Sequence, residues 1–199
     1  MDAGSGAAGT PGAPSEPKPP AGTLLTIGHS NQPLERFLDL LAIHQVEEIA
    51  DIRRFPRSRR HPHFSIENLE ASLAAAGIAY RHWPELGGFR KAQPDSVNVG
   101  LEHPSFRGYA DHMETPGFQA ALDRLLAAAR DRTLAVMCAE VLPAHCHRRL
   151  LSDAAVSRGV RIEHILGKGP RKPHVLTPGL RIENGRLLYE GEAPRLPGL

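Results

Sequence analysis

Apolar positions along the chain fall in short blocks whose spacing switches between that of a buried strand and that of a helix. Thr23 to Ile27 is an apolar run broken by Gly28-His29-Ser30, which predicts a first strand. Pro33 then opens a segment carrying Leu34, Phe37, Leu38 and Leu41 on one face, the pattern of an amphipathic helix with proline at its start. Val46 to Ile52 reads as the second strand, and strand, helix, strand in this order predicts a parallel pair with a right-handed crossover. Ser65 caps a predicted helix over Ile66 to Ala76, with Glu67 and Glu70 in its early turns and Gly77 at its end, and Ile78 to His82 fits a third strand. Residues 91 to 105 show no periodicity, and Phe106 to Ala110 leads into a segment ending near Met113. Thr115-Pro116 starts a helix through Phe118, Leu122, Leu125 and Leu126, which delivers the chain to Leu134 to Met137. That unbroken apolar run suits a strand buried on both faces of a parallel sheet.

Pro143 marks a turn, after which a helix is predicted from near Ala144 through Leu150, Leu151, Ala154 and Ala155, stopping at Gly159. Val160 to Leu166 alternates apolar and charged residues, as expected of a fifth strand nearer the sheet edge. Asn184-Gly185 inside Leu180 to Tyr189 signals a β-hairpin. The pattern predicts a single α/β domain: a mostly parallel open sheet with helices on both faces and a C-terminal β-hairpin. Residues 1 to 22, rich in Gly, Ala and Pro, are expected to be a disordered tail that packs against nothing before Ala21. The α/β domain takes residues 23 to 170, and the hairpin with its Pro-rich end takes 171 to 199. With 199 residues, 41% of them hydrophobic, the chain has room for one domain.

The net charge of +2 is too mild for a broad nucleic-acid-binding face, so local clusters decide. Arg53 to His63, R-R-F-P-R-S-R-R-H-P-H, reads as an exposed basic loop. One function class follows from it: a noncatalytic nucleic-acid-binding module that tracks the backbone with this loop and stacks bases on Phe55, Phe64, Tyr80 and Trp83. Substitution of Arg57, Arg59 and Arg60 would then remove a steep salt dependence. The absence of an apolar leader in residues 1 to 22 and the presence of two cysteines lead to an expectation of a reducing, cytoplasmic setting. No apolar run approaches the length of a membrane span.

The leading function class, an enzyme, to which the binding module is the alternative, rests on the stretch from Leu134 to Arg149. It holds both cysteines of the chain together with Glu140, His145, His147, Arg148 and Arg149. If the first, second and Leu134 strands are parallel, their carboxyl ends bring His29 and Ser30, Asp51 and Arg53, and Cys138 and Glu140 to one edge, where open α/β sheets place ligand crevices. His29 is a candidate acid or base or a hydrogen-bonded turn residue. Asp51 on an apolar strand needs a partner, with Arg53, Arg90 and Arg107 as candidates. Cations at the start of a helix oppose its macrodipole, so the backbone N–H groups near Cys146 and His147, with Arg148, are expected to hold an anion such as phosphate. Cys138 and Cys146 admit four readings: plain packing, a reactive thiolate, a metal site with His145 or His147, and a redox disulfide. Of the two, Cys138, at the end of a core strand, is the expected chemical residue and Cys146 the orienting or resolving one. Glu140 is available to orient a histidine or take a proton. No metal or cofactor is assigned, and the expected partner is an anionic small molecule or nucleotide.

Five motifs in order, T-I-G-H-S at 26 to 30, D-I-R at 51 to 53, L-G-G-x-R at 86 to 90, F-R-G-Y-A at 106 to 110, and M-C-A-E with C-H-R at 137 to 148, resemble the domain-of-unknown-function family numbered 488. The resemblance covers roughly residues 24 to 166. It implies a shared fold and site, and the cysteines of that family hint at enzymatic activity without naming a substrate.

Overall fold

The protein, seen in a computed structural model, is described over residues 16–57 and 60–190. Arg59 of the basic loop, most of the expected N-terminal tail and the Pro-rich end therefore lie outside the described residues.

Six strands form the main sheet: β1 (Leu24–Gly28), β2 (Glu48–Asp51), β3 (Ala79–His82), β4 (Leu134–Cys138), β5 (Ile162–Ile165) and β6 (Lys172–Pro173), in the order β3-β2-β4-β1-β5-β6. The first five are parallel, and only β6 runs antiparallel, against β5. The helices are α1 (Leu34–Ile43), α2 (Ile66–Ala75), α3 (Pro104–Met113), α4 (Pro116–Asp131) and α5 (Arg148–Val156). Because strand side chains alternate between faces, each central strand supplies two cores. Leu25, Ile27, Ile49, Ala135 and Met137 meet Phe37 and Leu41 of α1 and Leu69 and Leu73 of α2. Leu24, Ala50, Val136 and Ile162 meet Tyr109, Leu122, Leu125, Leu150 and Leu151 from α3, α4 and α5. Burial on both faces is why β1 and β4 read as unbroken apolar runs.

β1 and β2 are parallel as expected of a strand, helix, strand unit, but they do not pair directly: β4 stands between them and pairs with both. Thr115 caps α4 as its sequence predicts, its Oγ1 accepting the Phe118 N–H at 3.4 Å with Pro116 next in the chain. Ser65 precedes α2 but makes no side-chain cap. The hairpin is β7 (Leu180–Glu183) and β8 (Arg186–Tyr189), with Asn184 and Gly185 at φ 49° and 80°, the left-handed pair that a tight hairpin turn requires. It docks on the domain, because Leu187 and Tyr189 enter the same core as α4 and α5.

Several expectations need correction. The last helix starts at Arg148, not near Ala144: Pro143–His145 is a short 3-10 turn and Cys146 is extended, at φ −133° and ψ 146°. β5 does lie towards the edge, second in the order, but it is fully buried, because β6 covers it. Its charged residues are paired rather than exposed: Glu163 accepts from Arg161 and Arg171, and His164 lies between Thr26 and His174. The expected tail is not free up to Ala21 either. The Glu16 N–H donates to Ile43 O at 2.9 Å, Arg171 donates to Pro17 O at 3.0 Å, and Pro19 is buried. Residues 91–103 contain no helix or strand, yet Asp111 of α3 pins this loop by accepting from the Gln93 N–H, Ser96 Oγ and Asn98 Nδ2 at 2.7–2.9 Å. Among the described residues, no helix is long and apolar enough to cross a membrane.

Candidate functional site

The carboxyl ends of β1, β2 and β4 do converge. Beyond the strands proper, the His29 N–H donates to Cys138 O at 3.0 Å and the Ser30 N–H to Ala139 O at 2.8 Å, which zips the two loops together. A Cβ on Gly28 would sit 1.8 Å from Glu140 O, so only glycine allows this approach. A cleft of about 990 Å³ opens over this edge. Of the residues expected there from the sequence, its walls include His29, Ser30, Arg53, Cys138, Glu140, Cys146 and His147, and they add Arg54, Phe55, Phe89, His103 and Phe106.

Cys138 and Cys146 are free and buried at its floor, with His147 beside both. His147 Nδ1 stands 3.9 Å from Cys138 Sγ and 3.7 Å from Cys146 Sγ, and all three atoms lie within 4.8 Å of one another. Two sulfurs and an imidazole nitrogen at such separations form a donor set that suits a soft divalent ion, although the sequence pattern assigns none there. The two thiols are close enough to bias each other's ionisation in opposite directions. Cys146 is held well below the usual thiol range by the Cys138 S–H and by His147 and Arg148, against the opposing effect of burial. Cys138 is pushed up, first by its hydrogen bond to Cys146 and then by burial. The Arg148 N–H, first in α5, points at Cys146 Sγ at 3.4 Å. The N–H at this helix start, expected to meet an anion, thus has a partner within the chain in the Cys146 sulfur.

Arg148 is completely buried and faces away from the cleft. Its guanidinium donates to Val141 O at 3.1 Å, to Glu140 O, and to Thr26 Oγ1 at 3.2 Å, so it ties down the loop after β4 rather than meeting a ligand. Behind it runs a polar chain: Thr26 Oγ1 to His164 Nδ1 at 2.7 Å, His164 Nε2 to His174 Nδ1 at 3.0 Å, and His174 Nε2 to Asp153 Oδ1 at 2.9 Å. One direction of donation satisfies every link, from the arginine through the threonine hydroxyl and both imidazoles to the carboxylate.

Asp51 finds its partner in Arg53, one of the candidates the sequence offers: it accepts the Arg53 N–H and Nε at 2.9 Å each and the Tyr80 hydroxyl at 2.8 Å. It lies under the cleft and does not line it. Arg53 Nη1 in turn donates to Phe64 O at 2.7 Å and to His29 Nε2 at 3.2 Å. With that nitrogen accepting, the proton of His29 sits on Nδ1 and is donated to Ser30 O at 2.7 Å. Burial, with Arg53 adding to it, lowers His29 to about 4. His29 is therefore a neutral, doubly bonded wall residue, and no proton on it is free for exchange with a ligand.

Arg90 and Arg107 are not brought into the cleft. Arg90 donates to Gly87 O and Pro84 O, and Arg107 to Leu101 O and Glu102 O, at 2.7–3.0 Å, so both act as loop clamps. Three of the four proposed stacking residues fail as well: Phe64 and Trp83 are in the core, and Tyr80 is engaged by Asp51. Residues that sequence reasoning did not assign to the site, Gly88 and Tyr109, contact the chemistry directly. A Cβ on Gly88 would meet His147 Nδ1 at 2.8 Å, and the Tyr109 ring lies 4.9 Å from that imidazole. Their signal was the L-G-G-x-R and F-R-G-Y-A motifs, which carried no chemistry of their own to mark them.

Residues 33–155 match the family described as Domain of unknown function DUF488. No curated protein and no solved structure matches the chain.

Proposed function

The chain belongs to the DUF488 family, and on that footing we propose that it is a cysteine-dependent enzyme acting on a phosphate-bearing or other anionic ligand. The observation that carries this reading is the placement of Cys146 Sγ, at the start of α5, under the Arg148 N–H and between the Cys138 thiol and His147, on the floor of a cleft walled by Arg54, Arg57 and His103. Cys146 is the nucleophile. Its thiolate attacks an electrophilic atom of the bound anion, and the bonding pair leaves with the departing group, which takes the proton of the Cys138 S–H. Water then displaces Cys146 from the covalent intermediate and returns a proton to Cys138, so the cycle closes as a hydrolysis. Glu140, exposed on the rim, is the carboxylate available to activate that water.

The test is alkylation followed at each cysteine by mass spectrometry across pH. Cys146 should react well below the ordinary thiol midpoint of about 8.5. Iodoacetate should gain on neutral iodoacetamide relative to free cysteine, and lose that advantage in high salt. Cys138→Ala should raise the pH at which Cys146 reacts, since it removes a donor to the thiolate. Ordinary thiol behaviour of Cys146, with no preference for the charged reagent, would sink the reading.

A further inference from the structure

We propose that the mouth of this cleft is a stacking platform for a planar ring and that the ligand is a nucleoside phosphate, an inference that rests on the reading of the cleft as an anion-binding cysteine site. It starts from Phe89, which has φ 57° and is 79% exposed. A bulky L-residue in the left-handed region is strained, and an exposed ring recovers nothing by burial. The conformation is nevertheless fixed from several sides. Arg54 Nη1 donates to Phe89 O at 2.7 Å, while Arg90 holds Gly87 O and Pro84 O at 2.9 and 3.0 Å. Gly87 lies so close to the Arg54 backbone that a Cβ would meet it at 2.9 Å, and Gly88 is seated against His147. The loop is thus clamped between the basic segment and the thiol cluster, and Phe89 is what it presents.

The same arginine carries the second ring. The Arg54 guanidinium lies 5.2 Å over Phe55, which is 68% exposed and also lines the cleft. Arg54 therefore holds both at the cleft wall, the Phe55 ring by its guanidinium and Phe89 by its backbone carbonyl, and both rings stay largely exposed. Arg57, on the same wall, adds charge. An occupant that uses both features joins a flat apolar ring to an anion within a volume of about 990 Å³, which is the chemistry of a nucleoside phosphate. A free nucleotide fits better than a strand, because the other aromatics near the basic loop, Phe64 and Trp83, are buried and offer no continuing row of platforms.

Calorimetry with AMP, GMP, CMP and UMP against ribose 5-phosphate separates ring from phosphate. At least one nucleotide should bind about ten-fold more tightly than ribose 5-phosphate, the scale of one base–aromatic stack. Phe89→Leu and Phe55→Leu should each cut that nucleotide affinity about five-fold or more while leaving ribose 5-phosphate unaffected, and Phe89→Tyr should retain it. Equal affinity for the nucleotides and ribose 5-phosphate, or no nucleotide binding at all, overturns the proposal. So does a short single-stranded oligonucleotide that binds about a hundred-fold more tightly than every mononucleotide. The alkylation profile of Cys146 is measured without nucleotide, so failure of the thiolate reading shows there and failure of the ring platform shows here.

Discussion

Two buried imidazoles set how this protein meets acid. Burial lowers both His29 and His164 to about 4, with Arg53 adding to the effect at the first and His174, then Arg148, at the second. In the unfolded chain each takes a proton near pH 6.5, whereas the native state refuses it until about pH 4. Stability is therefore whole above pH 6.5 and declines as pH falls from 6.5 towards 4, by on the order of 3 kcal/mol for each histidine. Urea unfolding at pH 7.5 and 5 should show the loss, and His29→Gln should remove part of the slope; a midpoint that does not move would mean that the native histidines protonate freely. At this scale the sequence told part of the story. Asp51 beside Arg53 was legible because a carboxylate on an apolar strand demands a near cation. Which cysteine sulfur the Arg148 N–H reaches was not, since that is a fact of backbone direction after Pro143. Arg148 itself read as a ligand donor because nothing in the sequence shows that two carbonyls of its own loop consume its guanidinium.

Among the elements, α5 links the site to the end of the chain. Arg148 at its first position grips the loop after β4, and Asp153 on the same helix receives His174, the Thr177 N–H and hydroxyl, and the Tyr189 hydroxyl of β8. Tyr189→Phe removes one donor from a buried carboxylate that keeps its others, so it should cost about 1.5–3 kcal/mol in urea unfolding. A cost near zero would show that the hairpin contributes only its apolar contacts. Elements buried on both faces, β1 and β4, were predicted correctly because nothing polar had to be accommodated. β5 was rightly placed towards the edge, but its burial was hidden for the opposite reason: its Glu163 and His164 look solvent-facing until Arg171 and His174, from the segment beyond, arrive to pair them. The start of α5 was misjudged by four residues because proline opens a 3-10 turn as readily as an α-helix, and the two cannot be told apart from Pro143 alone.

For the molecule as a whole, the alternation of strand and helix patterns was enough to give a parallel sheet covered on both faces, but it did not give the strand order. That order has a consequence for how the protein comes into being. β1 sits in the middle of the sheet, where Leu25 pairs with Ala135 on one side and Glu163 on the other, although it is the first strand among the described residues. β2 and β3 pair after a single intervening helix, whereas β1 pairs only with strands from the far end of the sequence. Closing loops of that length is entropically costly, and parallel pairing of distant strands is slow. In pulsed hydrogen exchange during refolding, the amides of β1 should gain protection together with those of β4 and β5, and no earlier than those joining β2 to β3. Protection of β1 ahead of β5 would point to a different route. On the ribosome, β1 leaves well before β4 and β5 and has no strand partner until β4 follows, so over that interval its apolar face is left for chaperones or for α1 to cover.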